Sequence, residues 1–196
     1  MTPSPAKHRI KSKEIALTGI FLAFALIMSL IERMIPLSFG IPGIRLGLTN
    51  VAILLALYLF PLSGAFLLVV LKCLMAAMFA GSPAALLYSL GGSLLSFVVM
   101  AVLIRRDSRH ISPVGVSVAG AAFHNIGQII VACLVLQSRA VLVYLPVLLL
   151  TGIATGALIG VLVLKLRPYL MAYLGKETAG NEKPPHPQES KITRGS

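Results

Sequence analysis

Residues 48–80 read as one nearly continuous apolar run, from "LTNVAILLALYLF" through "PLSGAFLLVVLKCLMAAMFA". As a single helix this run would rise about 50 Å, far more than a hydrocarbon core of about 30 Å can hold. The "FPLSG" at 60–64 resolves the mismatch, because proline and glycine punctuate a turn. The run therefore predicts a tight hairpin, with one span near 45–60 and the next near 63–80. A chain built this way folds in lipid or not at all.

The rest of the sequence repeats the pattern. A first apolar span is expected from Glu14 to Pro36, and a fourth from the "GSP" turn at 81–83 to Ile104. A fifth covers about 113–136, and a sixth, after "QSR" at 137–139, covers about 140–165. Charged residues make up only 12% of the chain, with a mean hydropathy of +0.92, whereas soluble domains carry about 25%. The first span is too long for the apolar segment of a cleavable signal peptide, and no small-residue cleavage site follows it. The expected fold is an all-α integral membrane protein, a six-transmembrane-helix bundle over residues 14–170. A disordered basic arm (1–13) would precede it. The Pro-, Glu-, Lys- and Ser-rich tail (171–196) would follow, also disordered.

A formal charge of +11 suggests nucleic acid until its placement is considered. Lys7, Arg9, Lys11 and Lys13 precede the first span. Arg105, Arg106 and Arg109 fill the "RRDSRH" loop, and Lys165 and Arg167 close the last span. With six spans all three groups fall on one side, which the positive-inside rule makes cytoplasmic. Both termini are thus expected in the cytoplasm of a multi-pass protein of the cell membrane. The surplus charge suits anionic lipid headgroups, and no basic stripe interleaved with aromatics supports nucleic-acid binding. Cys73 and Cys133 sit inside apolar runs, away from any metal-ligand or CxxC spacing, and read as packing residues.

This topology puts "FGIPGIRLGLTN", residues 39–50, on the outer face. Non-helical backbone at that depth has to be solvated, packed on protein or lining a cavity. Its glycines permit a fold-back over the helix ends, and no acid within the stretch pairs Arg45. An ordinary glycine-rich turn is the alternative.

Ionisable and amide side chains inside a membrane are costly and mark candidate sites. Lys72 lies about 14 Å into the third span and His124 about 16 Å into the fifth, both near mid-bilayer. Asn125 and Gln128 follow, with Gln128 on the face of His124 through the i,i+4 relation. Glu32, Arg33, Arg45 and Asn50 gather at the outer ends, with Tyr88 and Tyr144 in the outer thirds of their spans. The inner halves carry few such groups. An outward-open cup floored by Lys72 and His124 explains the asymmetry. Hydrogen bonding between helices accounts equally for His124 and Asn125. Cations outnumber Glu32 in this cup, so a small anionic solute is the expected ligand, with no cofactor or metal. Small residues recur at helical spacing: Gly19 and Ala23 on the first span, Ala85, Ser89 and Ser93 on the fourth, and Gly152, Gly156 and Gly160 on the sixth. Intramolecular packing must use most of these faces, leaving the Gly19/Ala23 face as a candidate partner surface.

"IERMIPLSFGIPGIRLGLTN", "ALYLF", "SLGGSLLSFVVMA" and "GVSVAGAAFHNIGQIIVA" together resemble the Gx transporter family, also labelled heptaprenyl diphosphate synthase component I. The likeness covers roughly residues 14–165, and "GIPGIRLGLTN" and "HNIGQ" are its most specific parts. It implies a bundle like the S components of energy-coupling factor transporters, which capture vitamins from outside beneath a loop after the first helix. By that resemblance residues 39–50 would be the cap, and Lys72 with His124 to Gln128 part of the site. Gly19 and Ala23 would dock on a transmembrane coupling subunit driven by partner ATPases. The chain itself has no Walker motif. Prenyl diphosphate chemistry calls for aspartate clusters that hold magnesium, whereas Asp107 is the one aspartate here. The sequence therefore points to a solute-capture subunit rather than an enzyme. Its alternatives are a non-transport accessory of a prenyl-lipid, quinone or membrane redox pathway, and an independent secondary transporter.

Overall fold

The structure is a computed structural model that describes residues 5–34, 48–81, 83–106 and 111–173. Among them every regular element is helical: α1 (Pro5–Met34), α2 (Asn50–Leu59), α3 (Leu62–Ala80), α4 (Pro83–Arg106), α5 (Pro113–Leu136), a 3₁₀ helix (Arg139–Tyr144) and α6 (Leu145–Tyr173). Residues 5–13, expected within a disordered arm, belong to α1. No proline follows Pro5 before Met34, and proline suits the first turn of a helix. Residues 35–47, which include Arg45 and most of the expected cap, lie outside the described residues, as do residues 174–196 of the expected tail.

Five helical segments are long and apolar enough to cross a membrane: Ile15–Glu32, Leu62–Ala80, Pro83–Arg106, Pro113–Leu136 and Arg139–Ala172. The expected second span departs from this pattern. Its helix, α2, has 10 residues and rises about 15 Å, half of a hydrocarbon core. The break after it has a local cause. Phe60 precedes a proline and is extended (φ −112°, ψ 159°), since the proline ring disfavours the helical region for its neighbour. Pro61 then serves as the N-cap of α3. Gly81 ends α3 in the left-handed conformation (φ 63°), its N–H donating to the carbonyls of Ala77 and Met78. Ser112 caps α5 by accepting from the N–H of Gly115 at 3.2 Å, with Pro113 at the first helical position.

Although short, α2 is the centre of the bundle. It packs against α1, α3, α4, α5 and α6, and Val51 through Ala56 and Leu59 are each at most 3% exposed. A helix apolar on every side belongs in an interior. The long helices surround it and turn Ile20, Ile27, Phe66, Met78, Val98, Leu134, Leu150 and Leu158 outward.

Contacts near one end establish the relative directions. The Phe60 ring meets Phe21 edge-on, with centroids 5.1 Å apart. The Arg167 guanidinium lies over the Tyr58 ring, 4.3 Å from its centroid. Thus the middle of α1 is level with the end of α2 and the start of α3, and the end of α6 lies at the same end of the bundle. Arg105 and Arg106 in the last turn of α4 join them, where cations also complement the helix dipole.

Glycine sets the tightest crossings. A Cβ on Gly127 would sit 2.5 Å from the Gly91 carbonyl oxygen and 3.0 Å from the Gly92 Cα. Gly156 and Gly160 on α6 press against the backbone of α5 at Val118 and Val114. Close backbone approach of this kind is how membrane helices associate without a hydrophobic driving force.

Candidate functional site

Lys72, Thr49 and Asn50 place a group of buried polar side chains at mid-depth, where α2 begins. Lys72 stands about 15 Å from the start of α3 and is only 3% exposed. Its Nζ donates to Thr49 Oγ1 at 2.8 Å. Thr49 is the N-cap of α2, yet its side chain makes no capping bond to the helix. Its hydroxyl oxygen instead serves the lysine. Asn50 follows at the first helical position and is 1% exposed, and neither its Oδ1 nor its Nδ2 has a partner among the described residues.

The neighbouring helices add to this level. Ser89 Oγ on α4 donates to Cys73 Sγ at 3.3 Å, and the Cys73 thiol lies 3.5 Å from the Ser89 carbonyl oxygen. One turn further along α4, Gly92 admits α5. A Cβ there would lie 2.7 Å from Gln128 Cγ and 2.8 Å from the His124 carbonyl oxygen. His124 and Gln128 are both buried at this α4–α5 contact. Buried Ser93 and Ser96 on α4, and Ser117 nearer the start of α5, have hydroxyls with no partner among the described residues.

Asn125 faces elsewhere. Its Nδ2 donates to the Leu148 carbonyl of α6, and Gly152 leaves room for the amide. The helical turn between adjacent residues, about 100°, thus separates Asn125 from the His124/Gln128 face. Tyr88 packs with Ile129, Ala132, Val141 and Leu148 in a second apolar cluster, and Tyr144 is exposed. The two tyrosines therefore do not share a wall.

Glu32 and Lys72 are the buried ionisable side chains of opposite formal charge among the described residues, 6% and 3% exposed. On α1, Phe21, Ala25, Ser29 and Glu32 form the inward stripe, whereas Gly19 and Ala23 are exposed. A Cβ on Gly19 would find nothing within 4 Å. Beside it a groove of about 520 Å³ runs between α1 and the α2–α3 turn, lined by Ile15, Gly19, Leu22, Pro61, Gly64 and Leu71 among others. Ser89 and Ser93 of α4 and Gly152, Gly156 and Gly160 of α6 are buried, as intramolecular packing requires, and Ala85 is half-buried.

Thr49 is not among the residues expected from sequence, because a second span beginning near residue 45 places it inside a helix. The signal was nonetheless present, as Thr-Asn before an apolar run is a helix-start signature.

Apolar helices long enough to span a bilayer, outward-facing aliphatic side chains and a polar interior level define a multi-pass α-helical membrane protein. The family model described as heptaprenyl diphosphate synthase component I matches residues 21–166. The chain belongs to that family. No curated protein and no solved structure matches it significantly.

Proposed function

We propose that the chain is the substrate-binding subunit of a transporter, capturing a small anionic solute from the outer face of the cell membrane. One observation carries the reading. A buried lysine is bonded to the N-cap threonine of a half-length helix, and the next residue of that helix is a buried asparagine with both polar atoms unsatisfied among the described residues. Such groups are costly in a membrane, and half-helix ends at mid-depth recur where membrane proteins bind solutes. In this reading the chain crosses the membrane six times, with both termini cytoplasmic. Arg45 closes over the ligand from the loop. Asn50 and Lys72 hold its acidic group, His124 and Gln128 line the α4–α5 side, and Asn125 contributes its Oδ1. Gly19 and Ala23, on the open face of α1, dock on a transmembrane coupling subunit served by ATPases. An S-component-like fold would accommodate these roles. The accessory role in a prenyl-lipid pathway rests on the family description alone.

Native mass spectrometry of the gently purified protein tests the reading, since it detects bound solute and subunits together. A small molecule released from the wild type and lost in Lys72→Met and Arg45→Gln is the expected result. Equal retention in both variants would refute the anion site. Co-purification with a prenyl synthase subunit in place of ATPases would favour the accessory role.

A further inference from the structure

The start of α2 differs from the other helix starts. Its N-terminus is buried at mid-depth, its N-cap hydroxyl is engaged by Lys72, and the side chain at its first position is a carboxamide with both polar atoms unsatisfied among the described residues. The N-terminal end of a helix carries positive partial charge, and a 10-residue helix is long enough to express it. The Lys72 amine, held by its bond to Thr49 Oγ1, supplies further N–H donors beside it. A buried carboxamide left unmade on both sides is a strong demand, because it can donate from Nδ2 and accept at Oδ1. An acid alone answers half of it. Its oxygens accept from Lys72 and Asn50 Nδ2, leaving Oδ1 without a donor.

We propose that the first turn of α2 is a subsite for an acid bearing an adjacent hydrogen-bond donor, such as a hydroxy acid, an amino acid or an amide acid. Lys72 Nζ and Asn50 Nδ2 donate to the acid, and Asn50 Oδ1 accepts from the neighbouring O–H or N–H. This assignment rests on the capture reading and narrows its ligand class. Plain alkyl carboxylates and simple inorganic anions would be poor occupants.

Two probes isolate the second half of the demand, lactate and propionate, which differ by one hydroxyl. Saturation-transfer NMR on the purified full chain in nanodiscs reads their binding. In the wild type lactate binds more tightly than propionate by about fivefold, the worth of one neutral hydrogen bond. Asn50→Leu removes that preference. Asn50→Asp keeps the shape, places a negative charge at the helix start near the Lys72–Thr49 pair, and so abolishes binding of both acids while raising the thermal midpoint. This second variant decides the matter if Asn50→Leu does not fold. A wild type that binds neither acid or prefers neither, an Asn50→Leu that keeps the preference, or an Asn50→Asp that binds both acids as the wild type does would each overturn the subsite. Native mass spectrometry of the same wild-type preparation separates this from the broader reading. A co-purified solute with no response to either acid overturns the subsite and leaves the capture role standing. A protein with neither overturns both.

Discussion

Gly127→Ala should be among the most damaging single-methyl changes available in this protein. The added Cβ would lie 2.5 Å from the Gly91 carbonyl oxygen, 2.9 Å from its carbonyl carbon and 3.0 Å from the Gly92 Cα. All three are backbone atoms, so no rotamer change relieves the clash, and α4 must move away from α5. Overpacking a well-filled site costs about 1–3 kcal/mol, and a backbone-on-backbone clash belongs at the upper end of that range. Replacing a mid-helix glycine by alanine returns about 1 kcal/mol of helix propensity. The net loss is about 2 kcal/mol, which for a chain of this size lowers the thermal midpoint by about 4–8 °C. Gly19→Ala is the control, because nothing lies within 4 Å of its Cβ and only the propensity gain remains. The two midpoints are compared in one detergent by the loss of monodisperse protein on heating. A Gly127→Ala protein as stable as Gly19→Ala would refute the α4–α5 crossing, and with it the placement of Gly92 on His124 and Gln128.

Asn125→Leu should lower the midpoint by a few degrees, since the bond to the Leu148 carbonyl is lost and interhelical bonds in membranes are worth about 0.6 kcal/mol on average, up to about 1.7; an unchanged midpoint would show that α6 does not depend on it. Gly19→Leu and Ala23→Leu should leave the midpoint unchanged, because that face of α1 is open, yet abolish co-purification of a docking partner; full recovery of every partner subunit would remove the docking role. In a background without Cys73 and Cys133, an impermeant thiol reagent added to whole cells should modify Arg45→Cys and spare Arg106→Cys; labelling at position 106 would invert the topology.

Much of this protein follows from local chemistry. Lipid as solvent, the long apolar segments, the break at Phe60–Pro61, the Ser112–Pro113 start of α5 and the basic character of one end depend on hydropathy and on residues within a turn or two of each other. The places of Lys72, His124, Asn125 and Gln128 away from the ends of their helices follow too, because position along a helix is a matter of counting, whereas their burial is a matter of packing. Contacts across the bundle do not. Lys72 and Thr49 are separated by 23 residues, and nothing local to either announces the other. Adjacent His124 and Asn125 look alike along the chain, yet one faces α4 and the other holds α6. Likewise, Gly19 and Gly127 carry the same absence of a side chain, one opening to the outside and the other pressed on backbone. The central place of the short α2 also belongs to tertiary structure. An apolar helix in lipid has no hydropathy gradient to say which of its faces meets protein, so steric fit among the surrounding helices decides it.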